Sequence, residues 1–215
     1  MNTEAGEAPP HDCGRCPRLA LFRNEQRIAF PDWFNGPVPS FGPEDTRLLI
    51  VGLAPGLRGA NRTGRPFTGD YAGDLLYETL DKFGLSHGSY DRRPDDGLRL
   101  TGARITNAVR CVPPENKPLP AEIVACRPYF LAELAALPRL EVLLALGQIA
   151  HQQVLAALGL RQAAYRFGHG AVHELPSGLH LADSYHCSRY NTNTGRLTAE
   201  MFEAVFAKVM PLLQG

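Results

Sequence analysis

Five cysteines are the residues of this chain whose types and spacing most directly suggest chemistry. Cys13 and Cys16 form a Cys-x-x-Cys pair, and Cys111, Cys126 and Cys187 follow singly. In a chain with no sign of secretion, such cysteines more often bind a metal or do redox chemistry than form disulfides. Four cysteines can hold either a zinc ion or a [4Fe–4S] cluster. Dispersed single cysteines suit a cluster that joins distant segments, whereas a zinc ribbon more usually has two Cys-x-x-Cys pairs. Buried thiols without a metal are the simpler alternative.

Two loops contain several arginines and almost no acidic residue, and could therefore bind phosphate. The loop at 52–70 reads GLAPGLRGANRTGRPFTGD, and the loop at 184–196 reads SYHCSRYNTNTGR. Neither is a Walker A loop or a Gly-x-Gly-x-x-Gly turn. Backbone N–H groups of a Gly-rich turn after a strand can converge on an anion, and arginine adds a bidentate donor. The alternative is that nineteen arginines against three lysines reflect a GC-rich genome. Candidate contacts to a phosphate-bearing partner in these loops are Arg58, Arg62, Arg65, Ser188, Arg189, Asn191 and Arg196.

Three further loop residues have both a chemical and a structural interpretation. Phe67, in the middle of a polar loop, is either a core anchor or a platform on which a planar ligand stacks. Asp70 suits the N-cap of a helix, and at the mouth of a site its carboxylate could also orient water. His186 directly follows a predicted strand, where a histidine is well placed for catalysis but is often only structural.

The elements that position these residues alternate between strand and helix. Apolar runs predict strands at 47–53, 102–109, 141–146 and 179–184, and periodicity predicts helices at 12–29, 70–83, 120–137, 147–158 and 196–213. We expect Pro128 to kink or restart its helix. Alternation of this kind predicts an α/β fold: a three-layer α/β/α sandwich around a four-stranded, mostly parallel sheet. The loops 53–70, 110–120 and 185–196 then lie at the carboxyl ends of strands, where ligands bind in such folds.

Composition limits the class of protein. A length of 215 residues favours one domain, which we place at 12–215 after a disordered lead at 1–11. The formal net charge of zero excludes a strongly basic nucleic-acid binder but allows a local basic patch. No apolar run approaches the roughly 18 residues of a membrane span, and no signal peptide is evident. We therefore expect a cytoplasmic protein that does not bind membranes.

Together these motifs resemble the iron–sulfur uracil-DNA glycosylases, most closely family 5, the type B enzymes. The resemblance covers about residues 12–210. It is carried by Gly52-Leu53-Ala54-Pro55-Gly56, the run 59–70, the stretch 111–118 (CVPPENKP), and 186–192 (HCSRYNT). It departs from the family at Cys187, where relatives often have proline. At Ala54, related glycosylase families carry an acid or amide that activates water, and the resemblance to family 5 points to Asp70 for that role instead.

The resemblance implies that the protein flips uracil, and other deaminated bases such as hypoxanthine, out of double-stranded DNA and hydrolyses the N-glycosidic bond. It implies a [4Fe–4S] cluster on Cys13, Cys16, Cys111 and Cys126, and a monomer that acts at the bacterial or archaeal nucleoid. The implied catalytic residues are Asp70, His186 and Asn116, and the implied base-binding residues include Gly52, Leu53, Ala54 and Phe67. We add Asn107 to the base-binding residues, because related families use an asparagine there to bind the pyrimidine edge, although family 5 members often lack it. Two alternatives remain: an iron–sulfur redox sensor that binds DNA without cleaving bonds, and a zinc-stabilised hydrolase of free nucleotides.

Overall fold

A computed structural model describes residues 8–213 of the chain. Its seven strands, in chain order, are β1 Leu48–Gly52, β2 Ser86–His87, β3 Arg99–Leu100, β4 Ala103–Asn107, β5 Val142–Leu146, β6 Val172–Glu174 and β7 His180–Ser184. Its seven α-helices are α1 Pro17–Ala29, α2 Ala60–Thr63, α3 Tyr71–Lys82, α4 Pro120–Ala135, α5 Gln148–Ala157, α6 Arg189–Asn193 and α7 Ala199–Val209.

The central sheet has five strands in the order β4-β1-β5-β7-β6. The pairs β1–β4, β1–β5 and β5–β7 are parallel, and β6 pairs with β7 antiparallel. The predicted mostly parallel sheet is therefore confirmed, but with five strands where the sequence predicted four. The three residues of β6 are too few for a period-two pattern to stand out, and the same holds for the two-residue hairpin strands β2 and β3.

Helices cover both faces of the sheet, which confirms the three-layer sandwich. On one face, α3 and α7 pack against alternate strand residues such as Leu48, Ile50 and Leu144. On the other, α4 and α5 pack against the intervening residues Leu49 and Leu143. Both sets of strand residues are fully buried, which explains why the strands are apolar throughout.

Two local expectations have different outcomes. α4 continues through Pro128 as one helix to Ala135, so the helix does not restart there. The predicted disordered lead at 1–11 lies partly outside the described residues; within them, the ring of His11 packs edge-on against Phe34 at 5.7 Å between centroids.

No helix within residues 8–213 combines the length and the apolar character that crossing a bilayer requires.

Candidate active site

One cavity of about 570 Å³ lies at the carboxyl ends of β1, β4 and β7. The chain moves from β1 to β4 on one side and then crosses to β5 on the other, so this is a point where the strand order reverses and ligands commonly bind. Most of the residues that line the cavity were candidates from the sequence: Leu53, Ala54, Phe67, Asp70, Asn107, Asn116, His186, Ser188 and Arg189.

Asp70 lies at the N-cap of α3 and faces the cavity. Its Oδ1 accepts a hydrogen bond from the backbone N–H of Ala72 at 3.2 Å. A Cβ on Gly59 would lie 2.1 Å from Oδ2, and one on Gly56 would lie 2.9 Å from it. Burial raises the pKa of Asp70, and the N–H groups of α3 only partly offset this. The glycines of the first loop therefore make room for a partly desolvated carboxylate, and the capping role coexists with access to the cavity.

His186 enters the cavity from the loop after β7. Burial lowers the pKa of its imidazole to about 4, so the ring is neutral at pH 7. Asn191 donates to the backbone carbonyl of His186 at 2.8 Å and so fixes this loop. The neighbouring thiol of Cys187 is fully buried in the core beside α3, and its pKa is raised by burial and by the charge of Asp70. Cys187 is therefore an unreactive core residue.

Phe67 and Asn107 line the cavity, whereas Gly52 does not line it but packs directly against both side chains. The Phe67 ring lies 5.8 Å from that of His186, measured between centroids. A Cβ on Gly52 would lie 2.3 Å from Asn107 Oδ1 and 2.8 Å from Phe67 Cζ. Glycine is thus required at position 52, because the side-chain amide of Asn107 and the ring of Phe67 occupy the space that a Cβ would fill. The pairing of Gly52 with Asn107 across β1 and β4 creates this contact.

Asn116 reaches the cavity from the loop after β4. Both Glu115 and Asn116 have left-handed backbone conformations, with φ of 55° and 57°. Such conformations are costly for residues other than glycine and often mark functional loops. Leu53 and Ala54, directly after β1, complete this wall and contact the cysteine-rich region behind it.

The arginines of the two loops have different roles, and the structure corrects the expectation that Arg65 contacts a phosphate. Arg65 is buried and donates to both oxygens of Asp96 at 2.7 Å, so its guanidinium is not accessible to a phosphate. Arg62 is exposed, but it also donates to backbone carbonyls of its own loop. Arg58 is exposed, and Arg196 is exposed above the ring of Tyr185.

Two residues of the second loop lie directly at the cavity. Ser188 caps α6 by accepting from Asn191 N–H, and the exposed Arg189 lies over the ring of Tyr71, 5.7 Å from its centroid. Sequence reasoning did not single out Tyr71, which lines the cavity and is 41% exposed. Its position directly after Asp70 at the start of α3 is the only signal that could have indicated it.

The four candidate ligands Cys13, Cys16, Cys111 and Cys126 line one small cleft together. This cleft lies between α1, α4 and the segment after β4, so the thiols join parts of the chain that are far apart in sequence. Four cysteines that meet in this way could hold either a zinc ion or a [4Fe–4S] cluster.

A buried positive charge, the guanidinium of Arg23, lies beside these thiols and is complementary to an anionic group. Arg23 is 2% exposed, donates to Cys111 Sγ at 3.4 Å and to the carbonyl of Cys13, and has an unpartnered Nε. No carboxylate among the described residues forms an ion pair with it. A buried guanidinium without a counter-charge is costly. Four thiolates around a cluster would supply that negative charge, and so the residues present fit a [4Fe–4S] cluster.

Comparison with known proteins shows which family the chain resembles. Residues 39–210 match the family model described as "Uracil DNA glycosylase superfamily". A type-5 uracil-DNA glycosylase of Thermus thermophilus is 50% identical over 99% of both chains. The type-5 enzyme of Mycobacterium bovis is 44% identical over 93% of this chain and 78% of its own. That of Pyrobaculum aerophilum is 39% identical over 92% and 87%, respectively.

Proposed function

The chain belongs to the uracil DNA glycosylase superfamily, and from that premise we propose that it removes uracil from DNA. The reaction is hydrolysis of the N-glycosidic bond, which releases the free base and leaves an abasic site. The observation that supports this most strongly is the convergence of Asp70, Asn107, His186 and Phe67 on one cavity. An amide, a neutral imidazole, a carboxylate and an aromatic ring together can hold a planar base beside a charged group.

The base must first leave the duplex stack, because its glycosidic bond is inaccessible inside the helix. Phe67 lines the cavity, and its ring would stack on the extruded base. Asn107 is 3% exposed, and no hydrogen bond joins its side chain to another described residue. Its amide therefore remains available to donate to and accept from the pyrimidine edge.

Cleavage of the glycosidic bond develops negative charge on the departing base and positive charge on the sugar. The neutral ring of His186 can donate a hydrogen bond to a base carbonyl, an interaction that strengthens as charge builds on the oxygen. Asp70, which lines the same cavity, can stabilise the cationic sugar and hold the attacking water. Asn116 lies near enough to the same cavity to help position the sugar or the water.

Binding of double-stranded DNA would place its backbone along the exposed arginines of the two loops. Arg58, Arg189 and Arg196 are the candidates that have accessible guanidinium groups. Because the chain has no net charge, DNA affinity would depend on this face and fall with salt. We further propose that the protein acts as a monomer on genomic DNA in the cytoplasm, and that it accepts other deaminated bases such as hypoxanthine.

We assign the four clustered cysteines to a [4Fe–4S] cluster. Cys13, Cys16, Cys111 and Cys126 would ligate it, and Arg23 would offset its negative charge. The cluster would cross-link α1, α4 and the segment behind Leu53. Its role would be structural, because hydrolysis of the glycosidic bond needs no electron transfer. Absorbance near 400 nm and iron content, measured for anaerobically purified protein and for Cys111→Ser, test this assignment.

The test of the proposed function is excision from a labelled duplex that contains one U·G pair, followed by alkaline cleavage of abasic sites. Release of uracil by cluster-loaded protein is the expected result, with a C·G duplex of the same sequence as the control. Absence of strand cleavage at full loading would contradict the proposal. DNA binding without excision would instead point to the redox-sensor alternative.

A further inference from the structure

Phe67 is held in an unfavourable backbone conformation by residues that lie outside the cavity. Its φ is 51°, in the left-handed region that residues with a side chain rarely adopt. Such a conformation persists only where the surrounding structure fixes it. Apart from Arg65 in the loop itself, the residues that fix it come from α3 and from the segment 86–98, neither of which belongs to the loops with recognisable motifs.

The most direct of these contacts is made by Tyr90. Its hydroxyl donates to the backbone carbonyl of Phe67 at 3.2 Å, and its ring stacks on Tyr77 at 4.5 Å between centroids. Tyr77 in turn donates to the carbonyl of Pro66 at 2.7 Å. A Cβ on Gly73 would lie 2.0 Å from the Phe67 oxygen and 2.2 Å from the Tyr90 hydroxyl. Glycine in the first turn of α3 therefore admits this hydrogen bond, although alanine favours helices more.

A buried ion pair secures the other side of the same loop. Arg65 donates to Thr68 Oγ1 and, through both terminal nitrogens, to Asp96. Asp96 also accepts from the backbone N–H groups of Asp91 and Leu98. The guanidinium of Arg65 lies between 5.1 and 5.7 Å from the ring centroids of three aromatic residues, Tyr90 among them. The ion pair thus ties the loop around Phe67 to the segment 91–98.

We propose that Tyr90 and the Arg65–Asp96 pair form a clamp that positions Phe67 to stack on the extruded base. They are positioning residues, because none of them lines the cavity. This inference rests on the proposed function and extends it to the segment that carries β2 and β3, to which the sequence assigned no role.

The test is a double-mutant cycle between Tyr90→Phe and Phe67→Ala, measured as the single-turnover rate of uracil excision. Tyr90→Phe keeps the stacked ring and removes one hydroxyl, so we expect a roughly two- to tenfold loss of rate. In the Phe67→Ala background we expect no further loss, because the clamp has no ring left to position. Tyr165→Phe, on the far edge of the sheet, is the matched control and should leave the rate unchanged.

Two results would overturn the clamp: an unchanged rate in Tyr90→Phe, or an equal fold-loss in both backgrounds, which would indicate a general structural role. Full activity of Phe67→Ala would overturn it too, while leaving uracil excision itself established. Amide hydrogen exchange of residues 65–69 tests the clamp apart from activity. Faster exchange in Tyr90→Phe than in Tyr165→Phe is expected, and equal exchange would contradict it even in a protein that released no uracil.

Discussion

Replacing Asp70 by asparagine separates its two roles, the cap of α3 and the charged group of the cavity. Asparagine keeps an oxygen that can accept from Ala72 N–H, and the two residues are equally good N-caps. The free energy of unfolding should therefore change by no more than about 0.5 kcal/mol. Asp70→Ala removes the cap as well and should cost about 1 kcal/mol.

The effect on catalysis should be much larger than the effect on stability. Oδ2 faces the space left by Gly56 and Gly59, in surroundings that raise the pKa of Asp70 by desolvation. A charge held in such surroundings interacts with a cationic sugar more strongly than it would in water. By analogy with removal of one preorganised electrostatic group, Asp70→Asn should lower the excision rate about 10²- to 10³-fold, or roughly 3 to 4 kcal/mol in the barrier.

The assay is single-turnover excision from the U·G duplex, with DNA binding followed by fluorescence anisotropy. Thr198→Ala is the matched control, because Thr198 caps α7 through the N–H of Met201 at 3.2 Å, away from the cavity. Thr198→Ala should lower the free energy of unfolding by about 1 kcal/mol and leave the excision rate unchanged. A wild-type rate in folded, DNA-binding Asp70→Asn would refute the catalytic role and leave the residue as a cap alone.

The remaining predictions concern pH and charge. The wild-type excision rate should show no inflection from His186 between pH 5.5 and 8, because burial lowers its pKa to about 4; His186→Gln should reduce the rate across that whole range. Arg65→Ala should lower the free energy of unfolding by about 3 kcal/mol in chemical denaturation, since the buried carboxylate of Asp96 loses its counter-charge and keeps only its backbone N–H partners. Arg58→Ala should leave stability unchanged and reduce the salt dependence of DNA binding by about one unit of slope. Burial alone would lower the pKa of His151, but its hydrogen bond to Asp183, donated at 2.7 Å, raises that pKa overall. The free energy of unfolding should therefore fall as pH rises through the raised pKa of His151. Asp183→Asn should abolish this trend.

The sequence alone determined the alternation of strand and helix and the edge of the sheet at which the loops meet. Apolar runs such as 141–146 are long enough to identify a buried strand, and a parallel sheet brings the carboxyl ends of its strands together. Asp70, Phe67 and His186 could therefore be assigned to one site. The short edge strand β6 could not be found, because three residues carry no usable period.

Only the tertiary structure decided what each arginine and each glycine does. Arg58 and Arg65 lie in the same loop and are indistinguishable by composition, yet one is exposed and the other is buried against Asp96, 31 residues further along the chain. Gly73 and Gly59 look like helix and turn residues until the atoms that occupy their missing Cβ positions are known. These roles depend on contacts between segments far apart in the chain, and a local pattern of residues cannot specify which distant side chain fills a given space.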